Sequence, residues 1–142
     1  MGTNRGGVIL NISSVQGLMA WPAMPTYSAA KAGMITYTRS AGHPLEFEQH
    51  GVRFICLCPG AVHTAMQDYH PYIGMTQVGT QFLEGLGEHL GNFLSPAEVA
   101  EAGAELVESA PTATIWHIHQ KGERAYEIPD EANYENLFKH KK

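Results

Sequence analysis

The sequence has few charged residues and no excess of positive charge. Only 16% of its 142 residues are charged, and the formal net charge is −5. Phosphate binding needs a basic surface, so this balance disfavours nucleic acid as a partner. Apolar residues make up 44% of the chain, which is typical of a folded α/β domain rather than of a disordered chain.

Long apolar runs are missing and cysteine is scarce. No segment is long or apolar enough to span a membrane, and the N-terminus has no apolar core of the signal-peptide type. The two cysteines, Cys56 and Cys58, stand two apart in a predicted strand, where a disulfide between them would strain the backbone. We therefore expect reduced, buried thiols in a cytoplasmic protein without a membrane partner.

A glycine-rich turn of the kind that cradles a dinucleotide pyrophosphate is also missing. Such a turn follows a strand and opens a helix. The stretch Gly85-Leu-Gly-Glu-His-Leu-Gly91 has a similar glycine spacing, but its last glycine is one position late and no strand is predicted before it. We expect no dinucleotide site there.

Three short apolar runs predict strands. They cover 7–13, 52–58 and 114–118, and the second ends sharply at Pro59-Gly60. The first run is nearly continuous, which indicates a strand covered on both faces, as in a parallel sheet.

Helical patterns separate these runs. One begins near Tyr27, is interrupted at Gly42 and Pro44, restarts over 45–49 and ends at Gly51. Another begins at Ser95-Pro-Ala-Glu98, where a serine cap, a proline at the first helical position and a glutamate at the third mark a helix start. This helix should end near Ser109.

The order strand, helix, strand, helix, strand predicts right-handed parallel crossovers in an α/β, Rossmann-like, doubly wound sheet. Ligands of such sheets bind beyond the carboxyl ends of the strands. Because Ser13-Ser14 and Pro59-Gly60 follow two such ends, we expect them to face one crevice.

A serine, a tyrosine and a lysine are predicted to meet at that crevice. Tyr27 and Lys31 stand four apart on one helix and therefore share a face. An ammonium held beside the phenol favours its ionised form, so that Tyr27 could exchange a proton with an alcohol or carbonyl oxygen. The Ser14 hydroxyl could hydrogen-bond the same oxygen.

The ordered segments that carry these residues resemble the short-chain dehydrogenase/reductase family. They are Gly7-Val-Ile-Leu-Asn-Ile-Ser-Ser14, Tyr27-Ser-Ala-Ala-Lys31, Gly51-Val-Arg-Phe54 and Pro59-Gly-Ala-Val-His-Thr64. The family spacing selects Ser14 over Ser13 as the catalytic serine. Within the family, the sequence is most similar to the 15-hydroxyprostaglandin dehydrogenase-like and insect alcohol dehydrogenase-like branches.

The resemblance implies roles for individual residues. Tyr27 would be the general acid/base, Lys31 would support it and bond the nicotinamide ribose, and Ser14 would orient the substrate oxygen. The nicotinamide carboxamide would be held by the turn after the second strand, namely by Pro59, Gly60, Val62 and Thr64. An apolar alcohol or ketone would contact side chains on both sides of the crevice, namely Val15, Met19, Trp21, Met66 and Tyr69.

The same resemblance implies an incomplete fold, because the family's dinucleotide-binding N-terminal half would lie upstream. We expect one partial domain, with a catalytic segment at 1–64, a substrate lid at 65–94, a helix and last strand at 95–129, and a polar tail at 130–142. The cofactor would be NAD or NADP, with NAD favoured, and a homo-oligomer is the family habit. The alternative is a truncated, inactive fragment that serves at most as an interaction module.

Two other interpretations lack the partners they need. Ser28-Ala-Ala-Lys31 matches the S-x-x-K element of penicillin-binding enzymes, but the other elements of those enzymes are absent. His117 and His119 share a predicted strand face, but zinc needs three or four convergent ligands. We interpret them as core or surface histidines and expect no metal.

Overall fold

A computed structural model describes residues 6–22, 24–65, 93–119 and 125–129 of the chain. These residues form four strands and three helices. The strands are β1 (Gly7–Ile12), β2 (Val52–Pro59), β3 (Thr114–Ile118) and β4 (Tyr126–Glu127). The helices are α1 (Pro25–Ala41), α2 (Pro44–His50) and α3 (Pro96–Ser109), and a single 3-10 turn covers Val15–Gly17.

The four strands form one mixed sheet in the order β1-β2-β3-β4. β1 pairs in parallel with β2, with Gly7 opposite Val52, and β2 pairs in parallel with β3, with Ile55 opposite Thr114. The predicted parallel arrangement of three strands is therefore confirmed. β4 was not predicted; it pairs antiparallel with β3 over two residues, with Trp116 opposite Glu127.

The helix boundaries follow local chemistry. α1 begins two residues before Tyr27, because Pro25 occupies its first turn, and Gly42 follows its last residue. α2 ends at Gly51, whose φ of 65° is the left-handed conformation that glycine adopts at low cost. At the start of α3, Ser95 Oγ accepts from the backbone N–H of Glu98, while Glu98 Oε2 accepts from that of Ser95 at 2.8 Å. The predicted cap of α3 is confirmed.

β2 is the central strand, and its side chains alternate between two apolar clusters. Ile55 and Leu57 face α3, where they pack with Ala102 and Leu106. The next cluster, on the α1 side, consists of Ile35, Cys56, Cys58 and Ile115. All four β2 side chains from Ile55 to Cys58 are fully buried. A near-continuous apolar run is what a strand covered on both faces requires.

β1 differs from the prediction that both of its faces are covered. Ile9 and Ile12 are 43% and 42% exposed. Within the described residues β1 pairs only with β2 and forms an edge of the sheet, so its outer flank has no neighbouring strand to shield it.

The predicted lid at 65–94 and the polar tail at 130–142 lie almost wholly outside the described residues, which omit 66–92 and 130–142. No helix in the described part of the chain is long and apolar enough to cross a membrane.

Candidate active site

The candidate site begins where β1 ends, at two consecutive buried serines. Ser14 is 8% exposed, and its Oγ accepts a hydrogen bond of 3.2 Å from the backbone N–H of Gln16, which caps the 3-10 turn. Ser13 is turned the other way, and its Oγ donates to the backbone carbonyl of Lys31 at 2.8 Å. The two neighbouring hydroxyls therefore have different partners, Ser13 in α1 and Ser14 in the 3-10 turn.

Tyr27 and Lys31 lie in the first turns of α1, and both are half-buried. The Lys31 Nζ atom lies 5.6 Å from the centroid of the Tyr27 ring, within the range of a cation–π contact. The same Nζ donates to the backbone carbonyl of Ile12 at 2.9 Å. Lys31 therefore connects the tyrosine ring with the end of the strand that carries Ser14.

The end of β2 lies beside the end of β1. The backbone N–H of Ser13 donates to the carbonyl of Leu57 at 2.8 Å, and Pro59 follows Leu57 by two residues. Gly60 continues the ladder to β3, because its N–H donates to the carbonyl of Ile118 at 2.8 Å. A Cβ on Gly60 would lie only 3.0 Å from the carbonyl oxygen of His119, so this turn packs tightly against the end of β3.

The segment after the Pro-Gly turn is joined to the residues before α3. Val62 forms a parallel bridge with Leu94. The backbone N–H of His63 donates to the carbonyl of Leu94, and the N–H of Leu94 donates to the carbonyl of Ala61, both at 2.8 Å. The two ends of the intervening segment therefore meet next to the candidate site. Thr64 is exposed at this point.

A buried histidine supports the β2 turn from behind. His117 is 5% exposed and stands opposite Cys58 in the parallel register. Its Nδ1 lies 2.5 Å from the carbonyl oxygen of Cys58; since a carbonyl only accepts, Nδ1 must carry the proton. The two histidines were interpreted as core or surface residues. His117 lies in the core and His119 is exposed. The sequence did not indicate that His117 holds the residue before Pro59.

Cys56 and Cys58 are free thiols, as predicted, and neither has solvent exposure. Their Sγ atoms lie 4.0 Å apart. The hydrogen bond with Cys56 and burial both raise the pKa of the Cys58 thiol. The pair fills the core beneath the candidate site.

The structure brings together the groups at the strand ends and leaves part of the predicted substrate wall undescribed. Lys31 contacts both the Tyr27 ring and the end of β1, which Ser14 follows by two residues, while Pro59 ends β2 and Gly60 follows it. Of the residues predicted to contact the substrate, Val15 and Trp21 are half-buried and Met19 is 54% exposed. Met66 and Tyr69 lie outside the described residues.

The N–H donors of Lys31 suit hydroxyl oxygens as hydrogen-bond acceptors. A lysine ammonium has three donors; the Ile12 carbonyl accepts from one of them at 2.9 Å, and the Met34 sulfur lies 3.9 Å from the same Nζ. The donor capacity that remains, beside the half-buried phenol, fits the hydroxyls of a nicotinamide ribose. Among the ranges 6–22, 24–65, 93–119 and 125–129, no glycine-rich turn leads from a strand into a helix. The described residues therefore fit the nicotinamide end of the cofactor and not its pyrophosphate.

Comparison with known proteins connects this arrangement to one family. The profile of the family described as short chain dehydrogenase matches residues 1–71, half of the chain. The chain is 35% identical over 121 residues to alcohol dehydrogenase 1 of Ceratitis capitata, covering 78% of this chain and 46% of that protein. It is 48% identical over 60 residues to 15-hydroxyprostaglandin dehydrogenase [NAD(+)] of Rattus norvegicus, covering 42% of this chain and 23% of that protein. The chain thus spans less than half the length of these relatives.

Solved structures match the fold. The structure of F189W actinorhodin polyketide ketoreductase with NADPH is similar with a TM-score of 0.59 and 28% sequence identity. The match covers 80% of this chain and 46% of the ketoreductase chain. The sheet and helices described above therefore correspond to part of a larger Rossmann-type domain.

Proposed function

Since the chain belongs to the short-chain dehydrogenase family, we propose that β1, α1 and β2 carry the catalytic groups of an NAD(P)-dependent oxidoreductase. The reaction is hydride transfer between nicotinamide and a secondary alcohol or ketone. The observation that carries this proposal is the position of the Lys31 ammonium. It lies 5.6 Å from the Tyr27 ring centroid and is bonded to the strand end that precedes Ser14.

The proposed proton transfer uses Tyr27 as the general acid/base. In the oxidising direction, the Tyr27 oxygen accepts the hydroxyl proton of the alcohol, while the carbinol C–H bond breaks and its electron pair leaves with the hydrogen as hydride. Nicotinamide, when bound, would supply the two-electron acceptor for this hydride. The buried Ser14 hydroxyl donates to the substrate oxygen and orients it, and the Lys31 ammonium lies beside the Tyr27 ring.

The proposed cofactor contacts lie at the ends of β1 and β2. Lys31 offers its remaining N–H donors to the ribose hydroxyls, and Tyr27 lies beside it. The turn comprising Pro59, Gly60, Val62 and Thr64 offers backbone groups and one hydroxyl to the carboxamide. We favour NAD over NADP, in line with the [NAD(+)] specification of the Rattus norvegicus relative.

The proposed substrate is a small apolar alcohol or ketone. Val15, Met19 and Trp21 would form one wall of its site, and Met66 and Tyr69 the other. A cytoplasmic location fits the two free thiols, and a homo-oligomer is the proposed assembly.

The test is isotope transfer from a secondary alcohol that carries deuterium at the carbinol carbon. Cyclohexanol labelled in this way is incubated with the chain and NAD, and separately with NADP. The reduced nicotinamide is then analysed by mass spectrometry. Deuterium in the reduced cofactor is the expected result with the 142-residue chain alone or with the N-terminal half of a relative supplied in trans. Release of ketone without labelled cofactor, or no turnover in either form, contradicts the proposal.

A second candidate is an inactive fragment that acts as an interaction module. The exposed Ile9 and Ile12 on edge strand β1 favour it, because an unshielded strand edge is a template for pairing. Calorimetry with NAD and NADP separates the two candidates. Negligible cofactor affinity both alone and with the complementing half favours the fragment, whereas affinity restored by that half favours the oxidoreductase.

A further inference from the structure

We propose that Ser13, the serine to which the catalytic pattern assigns no role, is a positioning residue for the Lys31 ammonium. The inference rests on the proposed function, in which that ammonium serves Tyr27. It is carried by hydrogen bonds that fix Lys31 at both its backbone and its side-chain terminus.

Two hydrogen bonds join the end of β1 to Lys31, one to its backbone carbonyl and one from its side-chain ammonium. Ser13 Oγ donates to the backbone carbonyl of Lys31 at 2.8 Å, and Lys31 Nζ donates to the backbone carbonyl of Ile12 at 2.9 Å. The lysine side chain has many rotamers. When its backbone is held beside the strand end, the distance that the side chain must span to reach the Ile12 carbonyl is fixed.

The bond from Ser13 lies in a closely packed place. Ser13 is only 4% exposed. A Cβ on Gly17 would lie 2.8 Å from the carbonyl carbon of Lys31 and 2.9 Å from Ser13 Oγ. Real Cβ atoms do not approach so closely, so the 3-10 turn can pack on α1 here only because residue 17 is glycine. The Ser13 bond is thus partly buried beneath this contact.

The strand end that holds Lys31 is itself fixed. The backbone N–H of Ser13 donates to the carbonyl of Leu57 in β2 at 2.8 Å. Leu57 is fully buried in the centre of the sheet. Ser13 therefore links the position of Lys31 to the packed core. A displacement of Ser13 would therefore be transmitted to the ammonium and to the tyrosine ring beside it.

A second polar link between β1 and α1 provides a matched control. Asn11 Nδ2 donates to Thr38 Oγ1 at 2.9 Å. Asn11 stands two residues before Ser13 on the same strand face, and Thr38 stands seven residues after Lys31 on the same helix face. Thr38 is fully buried. Its replacement by valine removes a buried hydroxyl with its bonds to Asn11 and to the Met34 carbonyl, and it leaves both hydrogen bonds between Lys31 and the end of β1 in place.

The test measures the Lys31 ammonium directly in the 142-residue chain. The chain has five lysines, so the ¹H–¹⁵N signals of the ammonium groups are few, and a Lys31→Arg variant assigns the one of interest. A hydrogen-bonded ammonium exchanges its protons with water slowly. We expect Ser13→Ala to accelerate this exchange by up to about fivefold, the factor that corresponds to full loss of the Nζ–Ile12 hydrogen bond, and Thr38→Val to leave it unchanged. Ser13→Thr, which keeps the hydroxyl, should restore slow exchange.

Equal exchange rates for the Lys31 ammonium in the unmodified chain and in Ser13→Ala would overturn the proposal, as would equal acceleration by Thr38→Val. Should Ser13→Ala not fold, Gly17→Ala replaces it. The added methyl displaces the 3-10 turn from Lys31 while all hydrogen-bonding groups remain, and unchanged exchange in that variant also overturns the proposal. None of these readouts depends on turnover. Faster ammonium exchange in Ser13→Ala together with unchanged turnover would therefore refute the proposed role of Lys31 and not the role of Ser13.

Discussion

Arg53 provides a quantitative test of how α3 is held against the central strand. This half-buried side chain of β2 reaches the C-terminal end of α3, where it donates to the backbone carbonyls of Ala110 at 2.5 Å and Val107 at 2.6 Å. The last carbonyls of a helix have no partner within it, and they carry its negative dipole end. A guanidinium satisfies two of them at once, so we expect Arg53→Met to destabilise the fold.

The size of the effect follows from the two contacts. A hydrogen bond from a charged donor contributes about 1.5–3 kcal/mol, but the Val107 bond is exposed to solvent and is screened. We therefore expect a loss of about 2 kcal/mol in the free energy of unfolding, measured by urea denaturation with circular dichroism. In thermal unfolding this corresponds to a fall in Tm of roughly 6 °C for a chain of this length.

Arg53→Lys is the matched control for charge. A lysine keeps the positive charge at the helix end but cannot span two carbonyls with a planar fork, so it should lose about half as much stability as Arg53→Met. A loss below ~0.5 kcal/mol for Arg53→Met, within the ordinary range of surface substitutions, would refute the reasoning. Equal losses for the two variants would show that the fork geometry has no importance.

Three further outcomes test the fold. Gly51→Ala forces a methyl-bearing residue into the left-handed φ of 65° and should cost roughly 1 kcal/mol in urea unfolding; an unchanged midpoint would contradict the assigned turn. Ser95→Ala removes the serine side of the α3 capping box and should also cost about 1 kcal/mol, whereas full stability would show that the box is not formed. Because Cys56 and Cys58 are fully buried and the pKa of the Cys58 thiol is raised by the Cys56 hydrogen bond and by burial, both should react with a disulfide reagent only at the rate of unfolding. Rapid labelling of either thiol in the native chain would contradict their burial.

The features that could be predicted from the sequence are those that local chemistry decides. The apolar run at 52–58 predicted a strand, and Ser95-Pro-Ala-Glu98 contains every group of the α3 cap. Both predictions are confirmed. The end of α2 at Gly51 was predictable for the same reason, since glycine is the residue that accepts a left-handed φ.

Features that depend on non-local pairing escaped prediction. β4 is only two residues long, and its strand geometry exists because Tyr126 and Glu127 meet β3. The contact of His117 with the Cys58 carbonyl depends on the register between β2 and β3. The exposure of Ile9 depends on which strands neighbour β1, and an apolar run does not contain that information.

The candidate site combines features decided by local sequence with features that depend on non-local pairing. The spacing of Tyr27 and Lys31 on one helix face is local, and the structure places the Lys31 ammonium over the Tyr27 ring. The pairing of Ser13 with the Lys31 carbonyl is long-range. The only sequence signal for this pairing is the two-residue spacing of Asn11 and Ser13, which places both on one strand face. Asn11 bonds the same helix.

The most direct test of the proposed chemistry compares two tyrosines of α1. Tyr37 lies on the same helix, is 58% exposed and contacts Phe54, so Tyr37→Phe removes a phenol oxygen away from the candidate site. In the form of the protein that transfers deuterium to nicotinamide, Tyr27→Phe should lower kcat by at least about 100-fold, the lower range for loss of a general acid/base. Cofactor binding should be retained, and Tyr37→Phe should turn over like the unmodified protein. Equal kcat values for the Tyr27→Phe and Tyr37→Phe variants would contradict proton transfer by Tyr27.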